Sequence, residues 1–180
     1  VSVRSANSAG LQDLSTLLTS AYQNHVVFNS AGQAGTVVPI GTRATPVNNF
    51  PDAMTIADTL GIRRIQMATS GTLNGGTTAT GKVFVGDNPT VDILTIDTSA
   101  EVTDCSFENL SILGTLDGNN MFKGCIISNI NYVNGLLQEC AITGTISVDG
   151  TAQCNIINCW SGSAGVEDAQ LVTIDMGGTG

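Results

Sequence analysis

Apolar positions along this chain change period twice. Residues 8–23 carry Leu11, Leu14, Leu17, Leu18 and Tyr22 at helical spacing, which predicts an amphipathic helix. Residues 25–29 read as a strand, 30–35 as a flexible turn, 36–40 as a second extended stretch and 41–49 as a loop. Helical spacing returns over 50–61. There Phe50, Ala53, Ile56, Ala57 and Leu60 share one face, Pro51 and Asp52 suit a first turn, and Gly61 supplies a stop. From residue 62 onward, alternation and short apolar runs take over. Strands are predicted at 62–67, 81–85, 91–96, 102–107, 110–113, 125–127, 140–142, 145–148, 154–157 and 171–174. Turn signals fall at 86–89, 117–120, 134–135, 149–150 and 161–163.

Within the strand-rich half an apolar residue is followed by cysteine at a fixed offset four times: Val102-Thr-Asp-Cys105, Phe122-Lys-Gly-Cys125, Leu137-Gln-Glu-Cys140 and Ile156-Ile-Asn-Cys159. Successive cysteines are 20, 15 and 19 residues apart. A period near 20 residues marks a stacked fold in which each repeat touches mainly its neighbours. Short strands, polar turns and that period predict an all-β parallel β-helix, a single-stranded solenoid. Turn spacing alone would also suit a β-sandwich, but a sandwich has no reason to repeat one residue type in one frame. Cys105, Cys125, Cys140 and Cys159 are then expected to stack as small buried hydrophobes in an interior ladder.

The rest of the chain divides around that solenoid. Residues 1–25 form an N-terminal helical segment, 26–67 a strand–loop–helix cap, 68–176 the β-helix and 177–180 the start of a linker. The cap helix would cover the open mouth of the first coil, whose apolar interior and unpaired edge would otherwise meet water. Leu11, Leu14, Leu18 and Ala21 fit a and d positions of barely two heptads, and this stripe is the candidate assembly or anchoring surface. A first residue that is not Met and a Gly177-Gly-Thr-Gly180 end point to processing, or to a segment of a longer polypeptide.

Composition narrows the function. Charged residues make up 12 % of the chain against 42 % apolar, enough to build a core, and the net charge is −9. Of six basic residues only Arg63 and Arg64 adjoin, so nucleic acid and anionic membranes are disfavoured partners. Five cysteines cannot all pair within one chain, although an oxidising compartment could join adjacent coils. Zinc is disfavoured because the only short interval, Cys154 to Cys159, has no His beyond it.

Three strings resemble chemistry and are read otherwise. Gly76-Thr-Thr-Ala-Thr-Gly81-Lys82 matches a phosphate-binding loop, yet Val83 stands where a hydroxyl should reach magnesium, and a strand follows instead of a helix. His25, the only histidine, lies before the repeats, and no G-x-S-x-G elbow accompanies it. Asp117-Gly-Asn-Asn120 lacks the Glu of a calcium loop and reads as a tight turn. No cofactor, metal or catalytic residue is expected. The enzymatic alternative is glycan cleavage in a groove, with Asp104, Glu108 and Glu139 as candidate carboxylates. Asp104 and Glu139 each precede a repeat cysteine, but they stand two coils, roughly 10 Å, apart, outside the ~6.5–9.5 Å of an inverting pair.

Cys105-Ser-Phe-Glu-Asn109 and Cys125-Ile-Ile-Ser-Asn129 match strings that carry inward ladders in pectate-lyase-like proteins, and the repeat resembles their right-handed β-helix. Cys140-Ala-Ile-Thr-Gly144 departs at the Asn, and Cys159-Trp-Ser-Gly departs throughout. Residues 26–75 are similar to a stretch of bacteriophage virion proteins through Asn29-Ser-Ala-Gly-Gln-Ala-Gly-Thr36, Pro39-Ile-Gly-Thr42, Pro46-Val-Asn-Asn49, Asp52-Ala53, Ile56-Ala57 and Gly61-Ile62. Thr173-Ile-Asp-Met-Gly-Gly178 looks like the passage into a further fibre domain. The resemblance implies a virion location and a homotrimeric appendage: a capsid decoration or head fibre, a collar fibre or a tail fibre. Its implied partners are copies of itself, capsid, collar or tail proteins, and a host surface glycan. The alternative is a β-helical polysaccharide depolymerase.

Overall fold

Ile65, Phe84, Phe107, Phe122, Leu137 and Ile156 stand in one register, each paired with the next across parallel strands. A computed structural model of the chain, describing residues 20–148, 153–161 and 173–175, shows the first five of these side chains buried as the inward rungs of a right-handed parallel β-helix of about five turns, with Ile156 38 % exposed. The face that carries them runs β1 (His25–Gln33), β2 (Arg64–Met67), β5 (Val83–Gly86), β8 (Ser106–Glu108), the end of β9 (Ser111–Lys123), the end of β10 (Ile126–Gln138) and β13 (Cys154–Ile157). A second face runs β3 (Gly71–Leu73), β6 (Ile93–Ile96), the starts of β9 and β10, β11 (Ala141–Ile142) and β14 (Trp160–Ser161). It buries Leu94, Ile112, Ile127 and Ile142 in register. β12 (Thr145–Val148) pairs with the middle of β10 and with β15 (Thr173–Asp175), while β4 (Thr78–Thr80) pairs with β7 (Glu101–Thr103).

Inward side chains of one strand rest on those of the next, so the core is a single column with no gap between coils. Its first half is aromatic. Phe84 stacks on Phe107 at 5.4 Å between centroids and Phe107 on Phe122 at 5.1 Å, both nearly parallel.

The mouth of the tube is closed by α1 (Phe50–Leu60). Asn49 caps it by accepting the Asp52 N–H at 2.9 Å, and Gly61 ends it in the left-handed conformation. Phe50, Ala53, Ile56 and Ala57 are buried as the periodicity expects, with Leu60 half-buried and Met54 added. Phe50 stacks on Phe28 at 4.2 Å and meets Phe84 edge-on at 6.1 Å, which joins the helix to the ladder. Lys82 is buried against the tube and pairs with Asp58 of α1. The loop between β1 and α1 covers the edge of β1: Val27 donates to the Gly41 carbonyl at 2.8 Å, and Val47 bridges to Phe28 and Gln33.

Several expectations need correction. β1 and β2 are already rungs of the tube, so the solenoid begins inside the segment read as a cap. β1 continues through Gln33, where a turn was expected, while residues 36–40 fold into turns closed by Ile40 N–H to Val37 O and Thr42 N–H to Pro39 O. The strand expected over 102–107 is split by Asp104 at φ 54°. The turns expected at 117–120 and 134–135 lie inside β9 and β10, where the parallel ladder slips register between the Leu116–Tyr132 and Asn119–Asn134 pairs and then resumes. Residues 20–22 are helical, Tyr22 is buried and donates to the Ile40 carbonyl at 2.6 Å, and Ala21 is exposed. Leu11, Leu14 and Leu18, the turns at 149–150 and 162–163, and the linker at 177–180 lie outside the described residues.

Candidate functional site

Corners decide where the sequence-nominated residues go. Asn109, Gly124, Glu139 and Asn158 form one corner column, linked by Asn109 N–H to Lys123 O, Gly124 N–H to Gln138 O and Glu139 N–H to Ile157 O. All four are left-handed, with φ of 56°, 62°, 55° and 52°. Asn and Gly tolerate that conformation best. Gly81 and Asp104, at φ 63° and 54°, form a second corner, linked by Gly81 N–H to Thr103 O. Asp104 and Glu139 therefore occupy different corners of the tube as well as different coils, which corrects the expectation that they share an equivalent position. Glu108 points outward between them and pairs with Arg64 at 3.4 Å. The structure brings no two of these carboxylates together.

The thiol ladder is also redrawn. Phe122, Leu137 and Ile156 are in register, so Cys125, Cys140 and Cys159 share one column, and Leu110 occupies that rung in the preceding coil. Cys105 is buried in a different column. It precedes Ser106, which pairs with Val83 and Met121, so its neighbours along the tube are Lys82 and Asn120. The Asn120 amide fixes it there by accepting from the Cys105 N–H at 3.0 Å and donating to the Val102 carbonyl at 3.1 Å. The motif apolar–polar–left-handed–small describes any corner, and two different corners carry it here.

Four of the five thiols are held protonated, while the hydrogen bond with Cys140 lowers the pKa of Cys125. A hydrogen bond with the Cys125 thiol, together with burial, pushes Cys140 far above the ordinary thiol range, and burial raises Cys105, Cys154 and Cys159. Thiols that keep their protons are poor nucleophiles and poor metal ligands. Among the described residues no group of His, Cys, Asp and Glu could hold a metal ion, and no helix is long and apolar enough to cross a membrane. The glycine–lysine string consists of the Gly76 turn, strand β4 and the Gly81 corner, with Lys82 committed to Asp58. Among the described residues no helix N-terminus faces it.

Two grooves open beside the cap, one on each side of β1. The first, of about 300 Å³, runs between the loop residues Arg43 and Pro46 and the outer face of the sheet at His25, Asn29, Gln66 and Asp87. Gln66 donates to the Asp87 carboxylate at 2.9 Å, and His25 Nδ1 lies 3.0 Å from the Gln23 carbonyl. The second, of about 320 Å³, has Phe28, Phe50 and Gly71 at its base and Ser30, Asn48, Asn49, Pro51, Thr72 and Asn74 around its rim. No family model, characterised relative or solved structure matches this chain. Of the residues singled out in the sequence, His25, Phe50 and Pro51 line these grooves, as do Asn29, Ser30, Pro46, Asn48 and Asn49 of the strings likened to phage proteins, but none of them was read there as part of a site. Packing against β1 is what brings them together with residues of the later strands and turns.

Proposed function

We propose that this chain is a non-enzymatic structural component of a bacteriophage virion, a stiff homotrimeric β-helical appendage serving attachment or particle stabilisation. The observation that carries the reading is the unbroken buried ladder from Ile65 to Leu137, with Asp104 and Glu139 at separate corners of the tube and Glu108 paired with Arg64. Coils stacked in register resist bending and leave few loose loops, which suits a rod and a display surface.

Self-association has its own support. Met121 is 53 % exposed on an outward position of β9, with half-buried Leu136 beside it in register on β10. Across the Asn109–Gly124 corner, Ile93 and Trp160 are 38 % and 52 % exposed, with half-buried Ile126 between them along the face. Apolar strips on outward strand positions favour contact between subunits. The virion assignment and the trimer number come from the likeness of residues 26–75 to a stretch of phage virion proteins. Mass photometry of this 180-residue chain should give three times its 18.5 kDa mass, and antibody labelling should decorate intact particles. A stable monomer would overturn the trimer, and unlabelled particles the virion role.

A further inference from the structure

Cys125, Cys140 and Cys159 share more than a register. The residues that follow them, Ile126, Ala141 and Trp160, pair in turn across parallel strands. Ala141 N–H donates to the Cys125 carbonyl at 2.9 Å, and Trp160 N–H to the Cys140 carbonyl at 3.0 Å. Neighbouring strands lie about 4.8 Å apart, inside the ~4.4–6.8 Å between Cα atoms that a disulfide spans. The side chains close the gap: the Cys140 thiol is hydrogen-bonded to those of both Cys125 and Cys159. Cys159 Sγ also leans back onto the coil of Cys140, donating to the Leu137 carbonyl at 3.6 Å. Leu110 fills this rung one coil earlier, so hydrocarbon suffices there. Packing of small hydrophobes accounts for each thiol singly and leaves three consecutive thiols in mutual contact without a reason. Neither other cysteine has such company. Cys105 lies between Lys82 and Asn120 in its column, and Cys154 pairs with Gly135, which has no side chain.

The column supports ordered thiol–disulfide exchange. Cys125 and Cys140 are buried and Cys159 is half-buried, so a small-molecule disulfide meets Cys159 first. Cys159, its proton lost to water, attacks one sulfur of that disulfide and expels a small thiolate, which takes up a proton. Cys140, already in contact, then loses its proton, attacks the Cys159 sulfur of the mixed disulfide and expels the second small thiolate, which is protonated in turn. Two protein thiols are oxidised to one disulfide, and the small-molecule disulfide is reduced to two thiols. Because the three sulfurs follow one another along the tube, Cys125 can next attack Cys140 from the side opposite Cys159, and the bridge moves one coil inward while Cys159 regains its thiol. Protonated Cys159 and Cys140 make the first steps slow, on a scale of hours.

We propose that Cys125, Cys140 and Cys159 form a disulfide relay, with Cys140 as the shared partner, through which a small-molecule disulfide staples successive coils of the tube. The inference rests on neither the virion role nor the trimer. The experiment incubates the chain overnight with oxidised glutathione at about pH 8, quenches it in acid, alkylates the remaining thiols in urea and maps unreduced peptides by mass spectrometry. Every cross-linked chain should carry Cys140 joined to Cys159 or to Cys125, and no bridge should reach Cys105 or Cys154. Oxidised protein should melt about 5–10 °C higher and return to its starting value with dithiothreitol. Cys140→Ala should leave glutathione on Cys159 with no bridge between coils. Cys125→Ala should confine the bridge to Cys140–Cys159, and Cys159→Ala should slow cross-linking about tenfold by removing the accessible thiol. Matching circular dichroism would show that each variant folds, and the wild-type peptide map decides the matter without them. Glutathione retained on Cys159 in the wild type overturns the relay, as does a bridge that omits Cys140, one between two chains, or no reaction at all. An unchanged melting temperature in the bridged protein overturns the staple.

Discussion

Between Val26 and Ile65 the chain takes 39 residues to make one turn of the tube, whereas Phe107, Phe122 and Leu137 follow one another at intervals of 15. The long turn contains α1 and the loop that covers β1. The short turns contain little besides strand and a left-handed corner. Both regions bury their apolar residues, but they do so under different constraints. A middle coil is covered above and below by copies of itself, so its side chains need only match the register. The first coil has a neighbour on one side alone, and its free edge and open interior must be covered by something that is not a strand. That added chain is what creates concave surface. Both of the grooves described above sit at the long turn.

The largest test of this contrast is Phe107→Ala. Phe107 is fully buried and touches an aromatic ring on both sides, so truncation removes packing from two coils at once. Unfolding in urea should show a loss of about 3–5 kcal/mol. A loss under about 1 kcal/mol would mean that the stacked rungs do not carry the regular region. Asn49→Ala probes the other side of the comparison. It deletes the α1 cap and the tie to Asp52, at a cost of about 1 kcal/mol. Hydrogen exchange should then quicken in α1 while β9 and β10 keep their protection, since cap and coils open as separate units. Uniform loss of protection would erase the distinction drawn here.

What could be read in advance follows the same divide. Helix α1 is legible because its signals are local: Pro51 and Asp52 at the start, Gly61 at the end and one apolar face between them. β12 and β13 are likewise legible from uninterrupted runs that begin and end at polar residues. Parallel stacking was legible from a repeated corner, but the column of each cysteine was not. In both Val102-Thr-Asp-Cys105 and Phe122-Lys-Gly-Cys125 an inward apolar residue, an outward polar one and a left-handed one precede an inward thiol. Which corner it is depends on coils elsewhere in the chain. Asp117-Gly118 and Asn134-Gly135 mislead for a related reason. They are turn formers by composition, and at Asp117-Gly118 the pairing of β9 with β10 does slip register, yet the parallel ladder resumes at once with Asn119 against Asn134. The grooves were invisible, since their rims come from segments 20 to 60 residues apart that meet only at β1.

Glu139→Gly sharpens the comparison at the corner itself. Glu139 holds a left-handed conformation that costs an ordinary residue roughly 1–2 kcal/mol, and Gly124 fills the equivalent position one coil earlier. Glycine should relieve that strain, partly offset by its greater freedom in the unfolded chain, for a net gain below about 1 kcal/mol in urea unfolding. A loss of stability would mean that the Glu139 side chain contributes something the corner geometry does not account for. The same variant bears on the enzymatic alternative, because loss of reducing-end release from a host capsule would make Glu139 a working carboxylate.

The smallest effect belongs to Asp97, in the turn after β6. Its carboxylate accepts from the Ser99 N–H and hydroxyl, each at 3.1 Å, and from the Thr98 hydroxyl at 3.4 Å. Hydrogen bonds from the Ser99 backbone and side chain hold it below the ordinary carboxylate range. A carboxyl that binds its proton less readily when folded stabilises the fold above its unfolded pKa, and that contribution is lost as pH falls through the lowered folded value. Wild type should therefore melt slightly above Asp97→Asn at neutral pH, with the two curves converging below the carboxylate range. Solvent around this exposed turn keeps the difference small. A gap that persists or widens in acid would show that the turn is held by its backbone bonds, Gly76 N–H to Ser99 O and Asp97 N–H to Leu73 O, and not by the charge. In that case even the exposed turns of the tube would owe their shape to coil stacking, and the contrast with the cap would extend from the core to the surface.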